Sequence, residues 1–349
     1  MNRVILDEKI GITYNASSKA RDDAAYFVSS YVGKDGGKYH VLGSNDKSHI
    51  KSKWGKIYVG IKALLKLFFS LKDDDVVFAQ SSLKIIRKLD FIRRLKKSRS
   101  ILLIHDLDAL RDSYEDDDSI NREIEVLNRQ DVVIVHNESM KQELRQRGCK
   151  INLVSLQIFD YYTNAPIVNR RFDTRRIEVC FAGNLSPRKT GFLYRLDEND
   201  MKIKFNIYGR KEKELKKLCY CGCYEPERLP EVLQGQFGLI WEGNDYSYNE
   251  TEHPYIMFNN PHKASLYIVS CLPIIVWEKA AIAEYVKREN IGITISNLDE
   301  IEERLFTITV CEYDGFLENI KRVRSDLLKG KHLHDAIAEA ETFLMQTAT

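Results

Sequence analysis

Two short stretches of the sequence place cationic side chains at the expected start of a helix. In Phe258-Asn259-Asn260-Pro261-His262-Lys263, Asn260 is expected to cap, Pro261 to open the helix, and His262 and Lys263 to lie in its first turn. Cations there oppose the helix dipole, and a bound anion relieves that conflict. In Ala182-Gly183-Asn184-Leu185-Ser186-Pro187-Arg188-Lys189, Gly183 permits a tight turn, Ser186 caps, and Arg188 and Lys189 add charge. Two anion-ready helix starts in one half of a chain suit a diphosphate; an ordinary capped surface helix is the plainer reading of each. Tyr208-Gly209-Arg210 follows a strand, where a glycine lets a ligand such as a nucleobase approach the backbone. In the other half, Ile104-His105-Asp106-Leu107-Asp108 and His136-Asn137 follow apolar strands. A carboxylate or imidazole at a strand's carboxyl end suits a general base. The alternative is that Asp106 caps a helix while His105 packs on the sheet.

The elements that must position these groups alternate strand and helix. Strands are expected at Arg3–Leu6, Asp75–Ala79, Ser100–Ile104 and Asp131–Val135, then at Arg176–Phe181, Lys204–Tyr208, Gly238–Trp241 and Leu272–Trp277. Their β-branched runs, without strict alternation, suit parallel strands buried on both faces. Helices are expected at Ala20–Val32, Ser119–Arg129 and Ser139–Arg147. Further helices are expected at Ser186–Tyr194, Glu227–Gln234, Pro261–Val269 and Ala280–Arg288. The polar stretch Tyr161–Thr174 reads as a linker, and His332–Met345 as an amphipathic helix. The expected class is α/β, with two Rossmann-like parallel-sheet domains facing a central cleft: 1–165, 166–330, and a terminal helix over 331–349. Ligands of such sheets sit beyond the carboxyl ends of the strands.

At 349 residues the chain suits two domains. A net charge of +2 disfavours a dedicated nucleic-acid binder. Seven cysteines argue against a fully paired disulfide framework, and the expected compartment is the cytoplasm. Ile57–Leu71 is interrupted by Lys62 and Lys66 and reads as an amphipathic helix rather than a membrane span. Lys84–Arg99 carries eight basic residues and one acidic one, with Ile85, Leu89, Ile92 and Leu95 on one helical face. Such a helix suits peripheral contact with an anionic lipid surface through 84–99, or a sheet-covering helix with a basic outer side. No GxGxxG follows the first strand and no Walker A sequence is present, so nicotinamide and P-loop chemistry are disfavoured. Cys219-x-Cys221-x-Cys223 lacks the usual zinc-knuckle spacing, and no metal site is expected.

Taken together, the sequence resembles bacterial glycosyltransferases of GT-B architecture, in particular β-1,6-galactofuranosyltransferases of O-antigen assembly. The residues that carry the likeness are Ala20-Arg21 with Asp23-Ala24, Ile104 through Arg111, Phe181 through Ser186 with Lys189, and Phe237 through Trp241. It continues through Phe258 to Lys263 with Ser265-Leu266-Tyr267, then Leu272-Pro273 and Trp277 through Ala281. The resemblance implies a UDP-sugar substrate held by the second domain, with no cofactor, and a saccharide or lipid-linked saccharide acceptor on the first. It implies that the terminal helix returns to the first domain. Retaining members often carry two glutamates eight positions apart; residues 259–276 contain none, which favours inversion. Cys271 stands where glycine is common before Leu-Pro, so the local turn is expected to differ.

On that basis Asp106 is the candidate base, with His105 or Asp108 as substitutes. Gly183, Asn184, Arg188, Lys189, Asn259, Asn260, His262 and Lys263 would hold the ribose and diphosphate, and Tyr208 and Gly209 would flank the uracil. Lys19 and Arg21, on a loop over 14–19 and just after it, with His136 and Asn137, would line the cleft on the acceptor side. A glucosyltransferase of the adhesin-glycosylating branch, a sugar-nucleotide epimerase, and a non-catalytic nucleotide- or glycan-binding subunit remain alternatives, and homo-oligomerisation is left open.

Overall fold

A computed structural model describes residues 2–7, 16–44, 52–81, 90–112, 114, 116–247 and 254–346. The chain forms two compact units, one of Met1–Asp160 with Gly330–Thr349 and one of Tyr161–Lys329.

The N-terminal unit is built on a six-stranded sheet, order β2-β1-β3-β4-β5-β6, with every neighbouring pair parallel. Its strands are β1 (Arg3–Asp7), β2 (Tyr39–Ser44), β3 (Val76–Gln80), β4 (Arg99–Leu103), β5 (Val132–Val135) and β6 (Asn152–Ser155). All four residues of β5 are buried, as expected of a strand covered on both faces. Helix α1 (Ala16–Ser30) starts earlier than its apolar pattern announces, so residues 16–19 form its first turn. The two residues before it, 14 and 15, lie outside the described part.

Helix α2 (Lys53–Ser70) packs on β2. Helix α3 (Asp108–Asp112) is short, and α4 (Asp117–Leu127) is capped by Asp116, whose side chain accepts from Ser119 N–H. The acidic run 112–118, which reads as a loop, therefore partly builds the cap and first turn of α4. Helix α5 (Glu138–Gln146) follows β5.

The last helix, Lys331–Gln346, belongs to this unit and packs against β4, β5, β6 and α1. Asp160 is buried beneath its start and accepts from the Leu333 amide at 2.7 Å, with His332 Nδ1 at 3.1 Å. Further along, Glu341 receives the buried Arg3 guanidinium at 2.6 and 3.1 Å and the hydroxyls of Tyr31 and Tyr39 at 3.3 and 3.1 Å. Arg3 fills the space a side chain would need at Gly33 or Gly37, which explains glycine at both.

The second unit has the sheet order β12-β11-β10-β7-β8-β9, again with all pairs parallel. Its strands are β7 (Glu178–Ala182), β8 (Lys204–Tyr208), β9 (Cys219–Gly222), β10 (Phe237–Ile240), β11 (Ile274–Trp277) and β12 (Gly292–Ile295). The order reverses between β7 and β10, which makes their carboxyl ends the topological switch point. Helix α6 (Pro187–Leu196) follows β7, α7 (Leu229–Val232) precedes β10, and α8 (His262–Val269) precedes β11. After β11 come α9 (Ala281–Glu289), α10 (Ile301–Phe306) and α11 (Val310–Leu328).

The stretch 161–174 is not a free linker. Arg170 donates to the carbonyls of Ser270, Gly235 and Leu233, and Phe172 stacks on Tyr313 at 4.9 Å. It lacks a period because it is an extended strap whose polar atoms are satisfied by loop carbonyls. The division between units therefore falls at 160/161. Cys271 adopts φ +57°, so the turn before Leu272-Pro273 keeps the left-handed geometry that a glycine would supply.

Candidate functional site

The switch point of the second unit gathers most of the anion-ready groups. Tyr267 on α8 is the anchor: its buried hydroxyl accepts from the Ala182 amide at 2.9 Å and donates to the Leu239 carbonyl at 3.1 Å. A Cβ at Gly238 would strike the Tyr267 ring, so the glycine of Phe237-Gly238-Leu239 makes this docking possible. The start of α8 is thereby fixed beside the end of β7. There the Lys263 chain crosses Gly183, whose added Cβ would sit 3.0 Å from Lys263 Cε. Lys263 Nζ lies 4.6 Å from the Phe181 ring centroid and 3.6 Å from Glu242 Oε1. The Lys263 side chain is 15% exposed and Glu242 58%, so the ammonium is buried against a partner that is itself largely solvated. Burial pushes the Lys263 pKa down, against the pull of Glu242, and Lys189 lowers it further.

Glu242 carries no motif in the sequence, and its place comes from a clip between two loops. Gly243 N–H donates to the Lys189 carbonyl at 2.8 Å, and Phe192 N–H to the Gly243 carbonyl at 3.2 Å. A break in helical geometry at Thr190 (φ −138°) opens α6 for this exchange. The Asn184 side chain accepts from the Ser186 amide at 2.9 Å and shapes the turn into α6, while Arg188 and Lys189 face solvent. Ser186 occupies the cap position, although its side chain makes no capping bond.

Residues 258–263 differ from expectation by one position: Pro261, not Asn260, occupies the cap of α8, and the helix begins at His262. Asn260 is buried, and His262 stacks on Tyr161 at 5.0 Å. Among the described residues, Asn259 Oδ1 is buried with no hydrogen-bond partner. Gly209 has φ +141° and lies against the Gly183 carbonyl, leaving no room for a side chain. Tyr208 does not flank an open site. It is 2% exposed, donates to the Val232 carbonyl at 3.1 Å and accepts from Gln234 N–H at 2.9 Å.

In the first unit, the residues after β4 form a second cluster. His105 N–H donates to Ser81 Oγ at 2.9 Å, and its ring stacks on Phe159 at 5.6 Å. Gln80 Nε2 donates to the Arg21 carbonyl, so its Oε1 faces His105 Nε2 at 2.6 Å; that network assigns the proton to Nε2. Asp106 is half-exposed and paired with Arg111 at 3.0 Å, which also holds Asp108 at 2.8 Å and Asp112 at 3.0 Å. Buried Glu123 accepts from the amides of Asp108 and Ala109 at 3.0 and 3.1 Å and so fixes the turn that carries Asp106 and Asp108. Desolvation pushes its carboxyl up to about 7, more than its backbone donors pull it down.

Four expected acceptor-side residues are engaged within the first unit. His136 is buried edge-on to Phe159 at 5.0 Å, and burial lowers its pKa to about 4, which keeps it neutral. Asn137 caps α5 by accepting from Met140 N–H at 2.9 Å. Lys19 is buried within α1 and paired with Asp23, and Arg21 is engaged with the Ser81 carbonyl. Arg93, part of the expected basic helix, is likewise inward: it binds Asp90, Asp131 and the carbonyls of Ser98 and Arg129. Residues 84–89 of that stretch lie outside the described part. Among the described residues no group of three or more His, Cys, Asp or Glu is arranged to hold a metal ion. Cys219 and Cys221 sit 3.8 Å apart on the edge strand β9.

Comparison with known proteins adds the family. Residues 8–158 match the glucosyltransferase 3-like N-terminal domain and residues 179–340 its C-terminal domain. The chain is 31% identical to beta-1,6-galactofuranosyltransferase WbbI of Escherichia coli K12, over 72% of this chain and 74% of that protein. It is 28% identical to glucosyltransferase 3 of Streptococcus gordonii, over 76% and 80%. Among solved structures it is similar to the lipopolysaccharide outer core galactosyltransferase WaaB, with a TM-score of 0.61 at 12% identity, covering 97% of this chain and 99% of that one. Trehalose-6-phosphate synthase OtsA matches with a TM-score of 0.58 at 9% identity, covering 98% and 99%. The fold is GT-B.

Proposed function

The chain belongs to the glucosyltransferase 3-like family of GT-B glycosyltransferases, and from that premise we propose that it moves galactofuranose from UDP-galactofuranose to a sugar hydroxyl, an α-glucoside 6-OH, in surface polysaccharide assembly. The observation that carries the donor half of this reading is Lys263. The buried Lys263 side chain stands 3.6 Å from a largely solvated carboxylate, and a diphosphate would add to its counter-charge. The relative WbbI supports the choice of sugar.

In the reaction the acceptor oxygen attacks the anomeric carbon in line as the bond from that carbon to the UDP oxygen breaks. Asp106 takes the hydroxyl proton, worth ~10²–10⁴-fold. His105 is the substitute base and would act through Nδ1, since Gln80 engages Nε2. The leaving diphosphate gains charge, which Lys263, Lys189, Arg188 and the amides opening α8 would stabilise electrostatically. Asn259 Oδ1, buried without a partner among the described residues, supports a hydrogen bond from a donor hydroxyl. Inversion is supported by the absence of glutamate in residues 259–276. The step uses no metal in this reading, so EDTA leaves turnover intact; loss restored by Mn²⁺ overturns that part.

A second reading, UDP-glucose as donor, is favoured by the likeness to glucosyltransferase 3 of two streptococci. The deciding experiment measures UDP release from UDP-galactofuranose, UDP-galactopyranose and UDP-glucose, each with and without an alkyl α-glucoside. Acceptor-dependent release from the furanose alone supports the proposal. Release from UDP-glucose alone moves the protein to the second reading, and conversion of a donor without acceptor indicates an epimerase.

A further inference from the structure

Helix α2 (Lys53–Ser70) turns an apolar stripe outward instead of burying it. Trp54, Tyr58, Ile61, Leu65 and Phe69 are 80, 67, 51, 52 and 78% exposed, and their spacing sets them along one side of the helix. A helix of a globular domain normally covers such a stripe with the core; among the described side chains of this segment, burial is seen at Leu67 and Leu71, at its end. The stripe continues onto the helical residues 90–95, where Phe91 and Leu95 are 70 and 60% exposed. Lys96 Nζ, 4.2 Å from the Phe68 ring centroid, joins the two segments.

Charge identifies the occupant. Helix α2 holds Lys53, Lys56, Lys62 and Lys66 and no acidic residue. Lys62 and Lys66 are exposed, as are Arg94 and Lys97 beside the second segment. Among the described residues, Asp90 is buried and paired with Arg93 and Arg94, while Asp74, past the end of α2, is 3.6 Å from Arg99. Asp73 is exposed and follows the helix. Trp and Tyr beside Lys on an amphipathic helix is the composition of the headgroup region of a bilayer. Pairing this face two-fold with itself would bring lysines against lysines.

We propose that the exposed face of α2, with Phe91 and Leu95, seats the protein on an anionic phospholipid surface. The aromatic and aliphatic side chains would enter the headgroup boundary while Lys62, Lys66, Arg94 and Lys97 meet lipid phosphates. This goes beyond the glycosyl-transfer reading and does not depend on it.

The protein carries its own reporter. Of its three tryptophans, Trp241 and Trp277 are buried, so Trp54 is the one whose emission responds to a new environment. Adding phosphatidylcholine–phosphatidylglycerol vesicles to the full chain is expected to shift the emission to the blue, and phosphatidylcholine vesicles are not. Lys62→Glu with Lys66→Glu should lower co-sedimentation at least about tenfold, since each basic side chain near such a surface is worth roughly fivefold in partitioning. Leu65→Ala with Phe69→Ala should lower it about as much while leaving Trp54 to report. All four side chains are exposed, so an unchanged thermal melt accompanies the loss. No blue shift, equal partitioning into neutral vesicles, or unchanged sedimentation of the charge variant would overturn the proposal. So would light scattering in which Leu65→Ala with Phe69→Ala dissociates a wild-type oligomer, because a second copy would then cover the face.

Discussion

Replacing Lys263 with Met should move stability and ligand binding in opposite directions. The Lys263 side chain is 15% exposed, and its ammonium stands 3.6 Å from the carboxylate of Glu242, a side chain that is 58% exposed. Methionine keeps the chain's volume over Gly183 and Phe181 and removes the desolvated charge. The Glu242 left behind is solvated, so its loss of a partner costs little. The folded protein should therefore be as stable as the wild type or gain on the order of 1 kcal/mol.

Binding should fall. A charge-assisted hydrogen bond contributes ~1.5–3 kcal/mol, which corresponds to roughly 10- to 150-fold in the Kd for UDP. The pH dependence has a definite sign. Because burial lowers the Lys263 pKa below its ordinary 10.5, the unfolded chain binds more protons than the native one between those two values. Wild-type stability should rise with pH across that window relative to the Met variant. Titration calorimetry with UDP gives the first quantity. Urea unfolding followed by the emission of Trp241 and Trp277, both buried in the second unit, gives the second. Wild-type UDP affinity in the variant would refute the phosphate contact, and a loss of more than about 1 kcal/mol of stability would refute the view of Lys263 as a desolvated charge.

Asp106→Asn should lower kcat by ~10²–10⁴ with UDP affinity kept, as steady-state rates and calorimetry would show; a normal rate moves the base to His105 or Asp108. Glu341→Gln should destabilise the N-terminal unit by about 1.5–3 kcal/mol in urea unfolding followed by circular dichroism, because the buried Arg3 loses a charge-assisted bond while Asp35 still pairs with it. The paired replacement Arg3→Met with Glu341→Leu should cost less than that single change. Glu123, raised from 4.5 to about 7 by burial, binds its proton more tightly in the native state, so its contribution is complete below pH 4.5 and lost as pH climbs through 7. Glu123→Gln should remove up to about 3 kcal/mol of that pH dependence of stability, measured from pH 4 to 8.

The strands that position both clusters were legible because Val132–Val135 or Ile274–Trp277 can be little other than buried parallel strands. Edge strands were not: Tyr39–Ser44 is polar at its end, and Gly292–Ile295 alternates, since an edge has fewer apolar neighbours. The basic start of α8 was legible because cations in a first turn are a local conflict. Its carboxylate partner was not, because Glu242 reaches Lys263 through a clip between two loops that leaves no periodic trace. Lys19, His136 and Tyr208 show the converse. Each has a residue type and position that suit ligand binding, and each is buried by packing that residue type does not encode.

The bond between Arg3 and Glu341 also constrains the order in which the protein can be made. These residues are 338 positions apart, so β1 leaves the ribosome long before Glu341 has been translated. Synthesis ordinarily lets an N-terminal domain fold first. Here the second unit is fully emerged while the first still lacks its closing helix, and the Arg3 guanidinium, paired with Asp35, still awaits its Glu341 carboxylate. The N-terminal half is then the last to mature, and a premature stop within the final turns would damage the opposite end of the polypeptide.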